Sequence, residues 1–136
     1  MSTEEPLVAE EVVAAYHRAM LRKSADELAD LYAEDGLHEF PFGGLPPLRG
    51  REEVRAGYRA TWSTTPAEVE RVRTVALHPG ADAEVVVVEQ ETDVTVNGRP
   101  ITVPGLLVLR IRGGLIVHTR DYMDTGAIGG VRAAAV

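Results

Sequence analysis

The chain has 136 residues, of which 45% are hydrophobic and 26% charged, with a net charge of -7 and no cysteine. That size and balance fit one globular domain with a real core. They exclude disulfide and thiolate chemistry, argue against nucleic-acid binding, which needs a basic patch, and leave no apolar run of the ~20 residues a membrane helix requires. The acidic start "MSTEEPLVAEE" does not read as a signal peptide, so a cytoplasmic location is the default expectation.

The first half reads as helix. Val12, Tyr16 and Met20 fall four apart, on one face, with Val8 and Ala19 beside them. Ser24 and Glu27 form a capping-box pattern, which starts a second helix carrying Leu28, Leu31 and Tyr32 and stopping at Gly36. "LHEFPF" is a short extended piece and "GGLPPLRG" a loop. A third helix carries Val54, Tyr58 and Trp62 on one stripe.

The second half reads as strand. "EVERVRTVALH" precedes the turn "HPGAD", and "AEVVVVEQETDVTV" is long and β-branched. Asn97-Gly98 is a hairpin signal, "RPITVPGLLVLRIR" returns, Gly113-Gly114 turns again, and "LIVHTRDYMD" is the last strand. The small residues of "TGAIGGVRAAAV" suggest a loose tail over 127–136. Helices followed by an antiparallel meander predict an α+β domain spanning 1–136. Its three N-terminal helices would pack on one face of a curved sheet and leave a cone-shaped pocket between the layers.

Elimination narrows the chemistry. Ser2, Ser24 and Ser63 are the only serines, and none sits in a nucleophile elbow. No phosphate-binding glycine motif is present. His17, His38, His78 and His118 lack metal-ligand spacing, so no metal or cofactor is expected. The single lysine, Lys23, lies near a helix end, a poor place for a Schiff base. Carboxylate and tyrosine proton chemistry in an apolar pocket is what is left.

Alternation sorts the faces. In the last strand Val117, Thr119, Asp121 and Met123 take one side; Ile116, His118, Arg120, Tyr122 and Asp124 take the other. In the long β-branched strand Val86, Val88, Gln90, Thr92 and Val94 form the less charged side, opposite Val85, Val87, Glu89, Glu91 and Asp93. Asp121 is thereby expected to face the pocket. Glu39, between His38 and Phe40, is a second candidate acid/base, its direction depending on whether its strand is bulged. His38 and His118 are read as lying away from the pocket or at its rim.

Three segments carry a resemblance: "VVAAYHRAMLRKSADELADLYAEDGLHEFPFGG", "LRGREEVRAGY" and "NGRPITVPGLLVLRIRGGLIVHTRDYMD". Together they resemble the nuclear-transport-factor-2-like superfamily, with SnoaL-like polyketide cyclases, ketosteroid isomerases and limonene-epoxide hydrolases as nearest relatives. The resemblance implies a cone-shaped α+β barrel, often dimeric through its sheet. It places Tyr16 where the isomerases hold an enolate-stabilising tyrosine, with Tyr32 and Tyr58 as supporting tyrosines. The two isomerase aspartates are replaced by Phe40 and Leu107, and the hydrolase Arg-x-Asp pattern by Gln90-x-Thr92. Asp121 matches the acid/base aspartate of the cyclases.

The expectation is therefore a cofactor-independent cyclase, isomerase or dehydratase acting on an apolar, polyketide- or terpenoid-like molecule. Asp121, Tyr16 and Glu39 would carry the chemistry. Met20, Tyr32, Phe40, Tyr58, Trp62, Gln90, Thr92, Leu107 and Met123 would line the pocket. The alternative is a binding or dimerisation module of the same fold. Two carboxylates converging in the pocket would favour catalysis; a lone one would favour binding.

Overall fold

The computed structural model describes residues 6–135. Four helices and six strands follow in the order α1 (Ala9–Arg22), α2 (Ala25–Ala29), β1 (Tyr32–Glu39), β2 (Leu48–Arg49), α3 (Arg51–Thr64), β3 (Glu68–Pro79), β4 (Val85–Val96), β5 (Arg99–Arg112), β6 (Leu115–Met123) and α4 (Thr125–Ala134). The strands form one curved, unclosed sheet in the order β2-β1-β6-β5-β4-β3. Strands β3 to β6 make the expected antiparallel meander, but β1 joins β6 in parallel.

The apolar stripes place the helices. Val12, Val13, Tyr16 and Ala19 of α1 and Val54 of α3 are buried against Val88, Leu107, Leu109 and Ile116 of the sheet. Among the described residues no helix is long and apolar enough to cross a membrane.

Three expectations need correction. The second helix is a single five-residue turn: Ser24 caps it through the Glu27 amide at 3.1 Å, but Leu31 and Tyr32 lie beyond its end. The chain leaves it because the Leu31 carbonyl accepts from the Ile116 amide at 2.8 Å, which pulls the segment onto β6. Gly36, read as a helix stop, sits inside β1 where the register shifts between Tyr32 and Leu37. A Cβ there would lie 2.9 Å from the Ile116 carbonyl oxygen, so only glycine fits the bulge.

Second, the C-terminal segment is helix α4, so helices do not stop at the three N-terminal ones. Asp124 caps it through the Ala127 amide at 2.9 Å, and Val131, Ala134 and Ala135 pack on Ala67, Val94 and Val96. Val136 lies outside the described residues, as does the acidic stretch 1–5.

Third, the alternation in β6 slips at its start. Ile116, assigned outward, is fully buried in the core, because the pairing shifts between Arg110 and Ile111 and takes a residue out of phase. From Thr119 onward the expected faces hold.

The acids on the outer face of β4 are paired within the chain. Arg71 and Arg73 of β3 meet Asp93, Arg73 reaches Glu91, and His78 meets Glu89. Arg110 and Arg112 are engaged by Asp82 and Glu84.

Candidate active site

Between helices and sheet lies a cavity of about 390 Å³, within the range of small-molecule sites. Tyr16 and Met20 of α1 form one wall, and Tyr58, Thr61 and Trp62 of α3 another. Gln90 and Thr92 of β4, Leu107 of β5, and Asp121 and Met123 of β6 form the sheet side. Phe40, the loop residues Leu45 and Pro46, and Ile128 of α4 also line it. Helical spacing aligns Tyr58 with Trp62, whose ring centroids are 4.8 Å apart.

Among the described residues Asp121 is the one carboxyl group lining this cavity, its side chain 17% exposed. Behind it stands His38, which is 0% exposed. His38 Nε2 lies 3.2 Å from Asp121 Oδ2 and 3.2 Å from the Tyr58 hydroxyl. On its far side Nδ1 lies 2.7 Å from the Tyr32 hydroxyl, which lies 2.8 Å from Thr119 Oγ1.

One hydrogen pattern satisfies every group in this chain. The Thr119 hydroxyl donates to the Tyr32 oxygen, the Tyr32 hydroxyl donates to Nδ1, and Nε2–H is shared between Asp121 and the Tyr58 oxygen. Tyr58 then keeps its own proton, with Asp121 and the Tyr16 hydroxyl as hydrogen-bonding neighbours. Burial pushes the Tyr16 hydroxyl well above the ordinary tyrosine range, with the nearby Tyr32, Tyr58 and Asp121 adding to it. Burial raises Tyr58 in the same way, followed by the Asp121 charge. Tyr32 is raised by burial as well, with hydrogen bonds to Thr119 and Tyr16 pulling partly back. All three are therefore proton donors at neutral pH.

Of the residues expected at the site, Asp121, Tyr16, Met20, Phe40, Tyr58, Trp62, Gln90, Thr92, Leu107 and Met123 line this single cavity. Tyr32 is buried one layer behind it. Glu39 is not in the cavity. It pairs with Arg120 in register, points to the outer face and meets His118 Nε2 at 2.5 Å. Strand alternation is the reason: past the bulge β1 is regular, so His38 and Phe40 turn inward and Glu39 outward. His38, set aside in the sequence, is thus a site residue. The legible signal was its spacing of two from Phe40, whose ring it meets at 4.7 Å. No group of three His, Asp or Glu side chains suited to a metal ion occurs among the described residues.

A curved α+β sheet with a tyrosine- and carboxyl-bearing cavity defines the nuclear-transport-factor-2-like class. Within it, the chain belongs to the SnoaL-like domain family, which it matches over residues 13–119. No curated protein matches the sequence. Solved structures share the fold. A candidate isomerase from Bacillus subtilis is 22% identical with a TM-score of 0.82, over 93% of each chain. A hypothetical protein with a ketosteroid isomerase-like fold from Catenulispora acidiphila, crystallised with trimethylamine, is 24% identical with a TM-score of 0.74, over 89% of this chain and 91% of its own. A candidate polyketide cyclase from Pseudomonas putida is 18% identical with a TM-score of 0.73, over 90% and 96%.

Proposed function

We propose that the protein is a cofactor-independent acid/base enzyme of the cyclase, isomerase or dehydratase type, acting on an apolar polyketide- or terpenoid-like molecule bearing a carbonyl. The observation that carries this reading is the Asp121 carboxyl facing an apolar cavity with a fully buried imidazole behind it. Asp121 takes a proton from carbon next to the carbonyl, and the C–H electron pair passes into an enolate. Tyr16 and Tyr58 donate hydrogen bonds to the enolate oxygen. His38 is a positioning residue: its Nε2–H fixes the Asp121 rotamer, and Tyr32 fixes its tautomer. Glu39 has no part in this mechanism.

A non-catalytic ligand-binding module is the second reading. One observation favours it: among the described residues Asp121 is the lone carboxyl group in the cavity, where a pair would favour catalysis. Against it, a fully buried imidazole, His38, stands in contact with Asp121, which a binding pocket does not need. A homodimer through the outer face of the sheet belongs to the same proposal. Phe42, 72% exposed, stacks edge-on against Tyr122 on that face, which supports an apolar contact there.

Deuterium exchange separates the two readings. In D2O the enzyme reading predicts protein-dependent exchange of the α-protons of 2-tetralone, followed by proton NMR and lost in Asp121→Asn. Binding of 2-tetralone without exchange above buffer supports the module.

A further inference from the structure

We propose that His17 and Gln90 form a second recognition point in this cavity, where His17 holds the Gln90 amide so that its N–H donors face the ligand and select a carbonyl oxygen at the end remote from Asp121. The inference rests on the reading that an apolar molecule fills the cavity with its reacting carbonyl end at Asp121, Tyr16 and Tyr58.

Gln90 is 7% exposed and lines the cavity from β4. Its Oε1 lies 2.7 Å from His17 Nε2 on α1. A carbonyl oxygen only accepts, so Nε2 carries the hydrogen, and Nδ1 is left to accept from the Thr74 hydroxyl at 3.4 Å. The ring is thus held at both nitrogens. Burial pushes His17 below the ordinary histidine range, with the Gln90 hydrogen bond pulling partly back, which favours a neutral ring of one tautomer.

With its oxygen occupied, the Gln90 amide has two N–H donors and one protein partner for them, the Met20 sulfur at 4.0 Å. A thioether is a weak acceptor, so a nearly buried amide is left with donor capacity unspent. Gly105 is the cross-strand partner of Gln90, so no side chain of β5 stands between the amide and the cavity at that position.

Register gives the spacing between the two recognition points. Gln90 pairs with Gly105 and Gly105 with Met123, whereas Asp121 pairs with Leu107. Two strand spacings across and one pleat repeat along put the Cα atoms of Gln90 and Asp121 roughly 12 Å apart. After both side chains reach inward, a two-ring body with oxygens at opposite ends spans the gap.

The test uses two fluorescent probes, 2-naphthol and 6-acetyl-2-naphthol, titrated into the full chain. The hydroxyl addresses Asp121 in both; only the second probe carries the remote carbonyl. The acetyl probe binds the wild type about tenfold tighter, the scale of one hydrogen bond to a preformed donor. Gln90→Leu brings the two probes to parity. Gln90→Glu, which keeps the shape and removes the donors, turns the preference against the acetyl probe even if the leucine variant folds poorly. His17→Phe lowers the preference, and 15N NMR of the wild type shows His17 with its proton on Nε2. Equal affinities in the wild type, binding of neither probe, a preference that survives Gln90→Glu, or an Nδ1–H tautomer overturns the inference. Failure of the Asp121 reading looks different: Asp121→Asn leaves 2-naphthol affinity unchanged while Gln90→Leu still erases the acetyl preference.

Discussion

Tyr32→Phe deletes one oxygen from a closed polar network. That oxygen contacts His38 Nδ1 at 2.7 Å and Thr119 Oγ1 at 2.8 Å, and all three residues are 0% exposed. Water does not reach the vacated position from outside, so the imidazole acceptor and the threonine donor both lose their partner. A buried polar group left unmet costs about 1–3 kcal/mol, so two cost about 2–4 kcal/mol after the benefit of one hydroxyl fewer to desolvate. For a domain of this length that lowers Tm by roughly 8–15 °C. Urea unfolding with an unchanged slope is the assay. Thr119→Val in the Tyr32→Phe background should return about 1 kcal/mol, because it removes an unmet donor, although the same change destabilises the wild type. A Tyr32→Phe loss within about 0.5 kcal/mol, or strict additivity of the two changes, refutes the network as described.

Three further outcomes follow from the same geometry. Because Tyr16, Tyr32 and Tyr58 are raised in the fold, the unfolded chain releases their protons first as pH climbs through about 10, and stability falls above that point. An ultraviolet titration at alkaline pH should show these three phenols ionising only together with unfolding. Gly36→Ala forces a Cβ to 2.9 Å from the Ile116 carbonyl oxygen and 3.1 Å from that of Ala33, and backbone cannot step aside; urea unfolding should show a loss of about 1–3 kcal/mol. Glu39→Gln sits on the outer face against His118, so the exchange rate of 2-tetralone should stay within about twofold of the wild type.

Much of this architecture is written in short-range pattern. Val12, Tyr16 and Met20 at helical spacing, Asn97-Gly98 at a hairpin and the alternation through Thr119, Asp121 and Met123 suffice to face the right side chains toward one cavity. What local pattern does not carry is long-range pairing. Tyr32 reads as the end of a helical stripe, and only its register with Ile116 on a distant strand makes it β. The same pairing places the bulge at Gly36, and the bulge decides that His38 rather than Glu39 turns inward. Helix α4 is hidden for another reason. Gly126, Gly129 and Gly130 weaken its intrinsic propensity, and it is held by the Asp124 cap and by packing on Val94 and Val96, contacts a tail cannot announce. Gln90 and Thr92 face the cavity as alternation requires, but the His17 contact that orients the amide spans 73 residues.

The central claim is that Asp121 moves a proton inside this cavity. Its most direct test is the rate of 2-tetralone α-proton exchange in D2O for the wild type and Asp121→Asn, with the dissociation constant of the same ketone measured on both. The account predicts a fall of about 10²–10⁴ in rate, the usual worth of a positioned acid/base, with binding changed by no more than a few-fold. An Asp121→Asn variant that exchanges at the wild-type rate while binding the ketone equally well contradicts it.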